Sequence, residues 1–436
     1  MRRATLALAG FAIAALGCGM TAAAVPPPAI ALVHGRIVRV SAPAIADGTV
    51  LIEGGKIVAV GARVAVPSGA RVIDVRGLSV YPGLVDANTT LGIQLVPEGE
   101  PGTMDTQEVG DFNPAEVAAI AVNPTNEIVP TVRTNGITDA LTAMRGGVIA
   151  GQASLIQLAG WTRDQMAVKR SVALWVNFPP KHAGGRGFFA RLAAGSGPPS
   201  AEERAREYRR HVNALRDYFD RARLYAAARR TAEDDNVELD AMAPYVTGKL
   251  PVIFVVNRVD DIRAAIDFGE SEHLHYALAG AKDAWQALGL IKQHNVPIIY
   301  GPLTSLPNSQ NDPYDAVYTT PAALAKNGAP FCIASGSATD ARNLAQNAAL
   351  AEAYGLSAEE ALKAVTLYPA QILGVADELG SIDPGKRADL FVATGDPLDL
   401  HNVVKYLFIG GEEVPLTDKG TELYHKYMAR PDKISY

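Results

Sequence analysis

Tyr81-Pro82-Gly83-Leu84-Val85-Asp86 marks the point at which this 436-residue chain changes character. Before it, short β-type runs follow one another with turn signals between them. They lie at 30–38, at 49–53 behind Asp47-Gly48, at 56–60 behind Gly54-Gly55, and at 72–75 ahead of Arg76-Gly77. Two runs joined by a glycine pair read as a hairpin, because glycine supplies the positive φ that a two-residue turn demands. After Asp86, unbroken apolar runs at 173–176, 252–256, 276–279, 296–300 and 331–334 alternate with helical stretches. Such alternation points to βαβ units, and strands covered on both faces lose the polar half of the two-residue pattern. Short-strand character returns after Gly380-Ser381-Ile382-Asp383-Pro384-Gly385-Lys386, with a strand at 388–393 and a hairpin at 403–414 turning at Gly410-Gly411. The expected chain is therefore α/β, with a body at 81–379 and a β-domain in two pieces, 25–80 and 380–436. Neither piece has strands enough to bury a face alone, so the two are expected to pack together.

Hydrophobic residues make up 48% of the chain and charged residues 20%, which excludes a disordered polymer and supports a large core. A net charge of -6 offers no basic face to nucleic acid. Arg2-Arg3, the apolar run at 4–16 and the small residues at 21–24 read as an export signal cleaved after Ala24, giving a periplasmic mature protein. Leu16-Gly17-Cys18 leaves lipoprotein processing at Cys18 as a second route. That apolar run is short for a bilayer span of about 20 residues, and no other stretch is apolar enough, so no transmembrane span is expected. Without Cys18 only Cys332 remains, so no internal disulfide is expected, and Cys332 reads as a small buried hydrophobe. Ser200 with Glu203 reads as a capping box opening a charged helix over 201–231, with Leu215, Phe219 and Leu224 as its buried stripe.

Four landmarks in order resemble the amidohydrolase superfamily, in particular its imidazolonepropionase-like branch. Leu51-Ile52-Glu53-Gly54-Gly55-Lys56-Ile57-Val58 is similar to the N-terminal hairpin of that family, and Tyr81-Pro82-Gly83-Leu84-Val85-Asp86 to the start of its first barrel strand. Ala361-Leu362-Lys363-Ala364-Val365-Thr366, with Pro369-Ala370 and Leu373-Gly374, resembles its last barrel helix. Gly380 to Leu390 resembles the return to its β-domain. The resemblance covers about residues 30 to 415. It implies a (β/α)8 TIM-like barrel of the metallo-dependent hydrolase fold, with a small composite β-sandwich domain from both chain ends. It also implies water activated on one or two divalent metals at the C-terminal ends of the strands, and hydrolysis of amide, lactam or related C–N bonds. Zinc needs neutral imidazoles, carboxylates or thiolates around it, with one position open to water.

The positions that the resemblance gives to metal ligands hold other residues. The His-x-His pair after the first strand is replaced by Asn88 and Thr90. The histidine position before Asn257-Arg258 holds Val255-Val256, that of strand six falls near Gly280, and Ala334-Ser335-Gly336-Ser337 lacks the strand-eight aspartate. Asp340 stands a few residues further on. Among the eight histidines only His273 and His275 make a His-x-His pair; they precede the 276–279 run and so belong at a strand's start, away from the chemistry of such barrels. His182 lies in a Gly-rich loop. No residue is assigned as a metal ligand and no cofactor is assigned, although a divalent metal is what the resemblance implies.

The expected mouth residues are Asp86, Asn88, Thr90, Asn257, Arg258, Ser335, Ser337 and Asp340, with Gln152 from the Gly-rich run Met144-Arg145-Gly146-Gly147-Val148-Ile149-Ala150-Gly151-Gln152, read as a backbone-lined loop. Asp86, Asp340 and Arg258 are the candidates for acid–base and electrostatic work, the others for substrate contact. Asn88 and Thr90 are expected to project into a hydrated polar pocket, with Asn257 or Arg258 balancing Asp86. Two functions follow from these residues: a hydrolase of non-peptide C–N bonds with unusual machinery, or an inactive binding protein that holds a small molecule or partner at the mouth. A homo-oligomer is left open.

Overall fold

The computed structural model describes residues 29–95, 106–181, 200–228 and 235–430. The export signal, Cys18 and His182 lie outside the described residues. Five strands come first: β1 Ile30–Ile37, β2 Ile45–Glu53, β3 Lys56–Gly61, β4 Arg71–Asp74 and β5 Ser79–Pro82. Eight more build a second sheet: β6 Leu84–Thr89, β7 Ile137–Thr142, β8 Ile149–Gln157, β9 Ala167–Asn177, β10 Val252–Val256, β11 Tyr276–Gly280, β12 Ile298–Tyr300 and β13 Phe331–Ile333. The last three, β14 Leu390–Ala393, β15 Val404–Ile409 and β16 Glu412–Glu413, rejoin the first sheet.

The first sheet runs β16-β15-β14-β5-β1-β2-β3, with β4 on β1. The two chain ends meet where β14 lies antiparallel to β5, Phe391 opposite Tyr81 and Val392 opposite Val80. β1 divides its bonding, pairing Ile30 to Val33 with β4 and only Arg36 and Ile37 with β5. The sheet curls: Ile57 N–H donates to Lys386 O and Ala388 N–H to Gly55 O, both at 2.9 Å. Leu32, Val50, Ile57, Val80, Leu390 and Phe408 from both chain ends share the apolar cluster inside that curl. At roughly 25 cal/mol per Å² of apolar surface, this shared burial is what holds the terminal strands to the early ones.

The second sheet runs β6 to β13 in sequence order and nearly closes, a TIM-like barrel. From β9 onward all neighbours are parallel, and β10, β11, β12 and β13 are the apolar runs read from the sequence. Gly336 N–H donates to Asn88 O at 2.9 Å and draws the rim beside β13 to β6. One strand departs from the (β/α)8 expectation: β8 is antiparallel to both β7 and β9. Only 143–148 separate β7 from β8, whereas a parallel crossover takes a dozen or more residues. The supposed Gly-rich loop at 144–152 is therefore a hairpin turn followed by a strand.

The charged helix spans Ala201–Ala227 and has the capping box on Ser200 and Glu203. Leu215 and Phe219 are buried as expected, but Leu224 is 74% exposed. Nine residues at 100° each put Leu224 about 180° from Leu215, and Ala222 takes the inner position instead.

Candidate functional site at the barrel mouth

Asp86 and Asn88 lie on β6 and Thr90 directly follows it, all three buried, and Thr90 lines a cavity beside Arg145. The Asp86 carboxyl is fully buried. Its Oδ1 accepts the Asn88 N–H at 3.2 Å and the Ser335 N–H at 3.1 Å. Its Oδ2 has no hydrogen-bond partner among the described residues. Burial pushes this carboxyl up to about 7, and the hydrogen bonds from Ser335 and Asn88 and the charge of Arg145 act against that rise. Thr90 Oγ1 donates to Gln94 Oε1 at 2.6 Å and accepts the Ala338 N–H at 3.2 Å, which ties β6 to the loop after β13. In that loop Ser335 Oγ donates to Ser337 O, and Ser337 Oγ donates to Asp340 Oδ2 at 2.8 Å. The first-strand and last-strand candidates are thus brought together, although Asp340 bonds within its own loop.

The cation that faces Asp86 is Arg145, not Arg258. Arg145 Nη2 donates to Asn88 Oδ1 at 2.7 Å, and the guanidinium lies 5.0 Å from the centre of the buried Trp175 ring. Burial lowers the guanidinium to about 10 and Asp86 raises it, so it is charged at neutral pH. The turn between β7 and β8 places it. Arg145 N–H donates to Thr106 O at 2.6 Å, and the Asn177 amide at the end of β9 donates to Arg145 O and Gly147 O, both at 2.9 Å. Gly147 takes φ +70°, and a Cβ there would stand 2.8 Å from Gly110 O, so the turn needs glycine. In the sequence, the available signal was a lone arginine between an apolar strand and two glycines.

Asn257 and Arg258 stand apart from this group and are exposed. Arg258 Nη2 donates to Asn308 O at 3.3 Å, and Asn257 O accepts Asn308 Nδ2 at 3.0 Å. Their neighbour is Asp283, whose Oδ1 takes the second Asn308 amide hydrogen at 2.8 Å. They start the helix Val259–Ser271 and its rim contacts, and Arg258 does not balance Asp86. Gln152 also stands elsewhere. On β8 it stands opposite Leu174 of β9, donates to Pro114 O at 2.9 Å and accepts from Ser171 Oγ, so its amide is spent on other partners.

Above Arg145 opens a cavity of about 460 Å³ lined by Thr90, Gln94, Thr106, Gln107, Arg145, Gly146 and Gly147. Three buried polar atoms around the barrel interior have no partner among the described residues: Asp86 Oδ2, Thr142 Oγ1 and Trp175 Nε1. Such atoms are ordinarily satisfied by protein, water or ligand.

The residues present do not fit a divalent metal. One carboxylate, one amide and several hydroxyls face a guanidinium that already supplies the positive charge. Cys332 is fully buried, and burial and then the Asp86 carboxyl raise its thiol well above the ordinary value. His273 and His275 precede β11, and His275 O accepts the N–H of Val252 at the start of β10, the opposite end from Asp86. Among the described residues no three His, Cys, Asp or Glu side chains stand together as an ion would require.

Residues 288–414 match the model of the Amidohydrolase family. A curated relative, the protein named amidohydrolase tasK of Hapsidospora irregularis, is 26% identical over 401 residues; the match takes in 84% of this chain and 39% of the relative, so the chain spans about two fifths of that protein's length. Among solved structures, an amidohydrolase from Thermotoga maritima shares the fold with a TM-score of 0.77 at 24% identity, over 88% of this chain and 99% of the other. A molinate hydrolase aligns with a TM-score of 0.53 at 18% identity, over 94% of this chain and 99% of the other. Over 288–414 the chain is thus similar in sequence to the Amidohydrolase family, and its barrel resembles that of a solved amidohydrolase.

Proposed function

We propose that this chain keeps the scaffold of a hydrolase superfamily and uses its barrel mouth to bind a small molecule without a divalent metal. The observation that carries this reading is Arg145: its guanidinium, bonded to Asn88 over Trp175, stands in the mouth beside Asp86. A second cation there would meet repulsion from the first and find one carboxylate to hold it. The order of the sequence landmarks supports a place in the imidazolonepropionase-like branch, with the ligand positions substituted. Elemental analysis of the purified protein is expected to find well under one equivalent of zinc, iron or manganese per chain. One tightly bound equivalent would sink the proposal.

A second reading, hydrolysis of a non-peptide C–N bond in an amide or cyclic amide, is favoured by Asp86. A carboxyl raised to about 7, whose Oδ2 has no partner among the described residues, is suited to exchange a proton with a bound substrate at neutral pH. Arg145 would then supply the electrostatic role that the sequence suggested for Arg258. The check is turnover of an amide and lactam panel in the presence of a chelator. Activity that survives chelation and disappears in Asp86→Asn supports hydrolysis; no turnover by the wild type leaves binding as the function.

We further infer export of the chain with loss of 1–24. Mass spectrometry of the mature N-terminus distinguishes cleavage before Val25 from lipid attachment at Cys18.

A further inference from the structure

We propose that the ligand of the barrel mouth carries a carboxylate and that Arg145 receives it. The inference rests on the reading of the mouth as a metal-independent binding site, and adds the chemistry of the occupant. A guanidinium offers five N–H donors in one plane. Arg145 gives one of its side-chain donors to Asn88 Oδ1 and makes no ion pair among the described residues. The Trp175 ring against its face and the bond to Asn88 fix the plane of the fork. Asp86 influences it by charge, but Asp86 Oδ1 is already held by two backbone N–H groups.

Among the described residues the cavity around this fork is lined by hydroxyls, carboxamides and two glycines, with no acidic side chain. Its size of about 460 Å³ suits a small organic molecule. A neutral ligand would remove water from the guanidinium and leave it only Asp86, itself raised to about 7, as a counter-charge, which is costly. A carboxylate meets the free edge of the fork with two parallel charge-assisted hydrogen bonds. Gln94, Gln107 and Thr106 line the same cavity, beside the space left for the remainder of the molecule.

The test uses isosteric pairs that differ in charge, benzoate against benzamide and N-acetylglycine against N-acetylglycinamide. Each is titrated calorimetrically into the full purified chain with and without a chelator. In each pair the carboxylate is expected to bind roughly tenfold tighter or more. Arg145→Gln should abolish that preference, and Arg145→Lys, which keeps the charge without the fork, should retain part of it. Circular dichroism and melting of each variant confirm that it folds, and Arg145→Lys carries the test should Arg145→Gln not fold. Equal binding of acid and amide, a preference that survives Arg145→Gln, or no binding of any probe overturns the carboxylate inference. Carboxylate binding that vanishes with the chelator overturns instead the metal-independent reading beneath it.

Discussion

At the Asp86 carboxyl, two backbone N–H groups share Oδ1 while Oδ2 meets none of the described donors. Desolvation prevails over those bonds and over Arg145, so the folded-state value, about 7, stands above the ordinary 3.8. A raised carboxyl binds its proton more tightly in the native state. Its contribution to stability is therefore full below about pH 4 and is lost as pH rises toward 7. Asp86→Asn keeps the shape and the Oδ1 acceptor but carries no charge. Between pH 5 and pH 8 the wild type should lose roughly 2–3 kcal/mol more than this variant, read by urea denaturation at both pH values. A gap that does not change with pH would contradict the assignment. The sequence made this residue and its neighbours legible, because polar groups at 86, 88 and 90 recur with the strand's two-residue period above an apolar barrel. It did not reveal Arg145 as their partner. That pairing spans 57 residues and depends on a turn whose path the local sequence does not dictate. Asn257 or Arg258 is the counterpart that the sequence suggests for Asp86, yet the start of the next helix holds both against Asn308.

At the scale of elements, β6 exists where it does because Gly83 lets the chain pass from one sheet to the other. A Cβ on Gly83 would stand 1.9 Å from Thr138 Oγ1 and 2.7 Å from Thr138 Cβ. Thr138 is fully buried and donates its hydroxyl to Asp139 Oδ2 at 2.7 Å, so it has no free volume to retreat into. Gly83→Ala should cost about 2–3 kcal/mol in denaturant unfolding, at the upper end for overpacking. A loss below about 0.5 kcal/mol would mean that β6 and β7 separate more freely than their packing suggests. The parallel strands from β10 to β13 were legible as unbroken apolar runs, since both their faces are covered. The direction of β8 was hidden by Gly151 and the turn glycines Gly146-Gly147 before it, which read as loop, although the six residues at 143–148 already left no room for a crossover. Leu224 illustrates the same limit on a helix, where an apolar residue spaced plausibly by eye falls on the outer face once 100° per residue is counted.

At the scale of the whole molecule, the two sheets are joined by a buried polar group as well as by apolar packing. Arg387, just ahead of β14, donates Nε to Asp389 Oδ2 at 2.9 Å and Nη2 to Gln157 Oε1 at the end of β8. Asp389 Oδ1 accepts the Gly410 N–H, and its backbone O accepts the Gly83 N–H at 2.8 Å. Asp139 on β7 is fully buried nearby, and its Oδ1 has no partner among the described residues. Burial, then the negative charge of Asp389, pushes Asp139 up, while Arg387 lowers it. One guanidinium thus serves two buried carboxyls, one on each sheet. Replacing it with an apolar side chain of similar length, Arg387→Met, leaves both acids without their cation and breaks the bond to β8. Loss of one partner from a buried ionic group costs about 3–5 kcal/mol. The sign of the pH dependence follows from what remains. Without Arg387 both carboxyls shift upward, so the penalty is smallest where they are protonated and grows as pH rises. Arg387→Met should therefore destabilise the chain more at pH 8 than at pH 5. Urea unfolding followed by far-UV circular dichroism gives the loss at each pH, and tryptophan fluorescence, to which the buried Trp175 of β9 contributes, reports whether the barrel sheet unfolds with the rest. A loss that is equal at both pH values would show that the arginine acts through packing and its bond to Gln157, and not through charge.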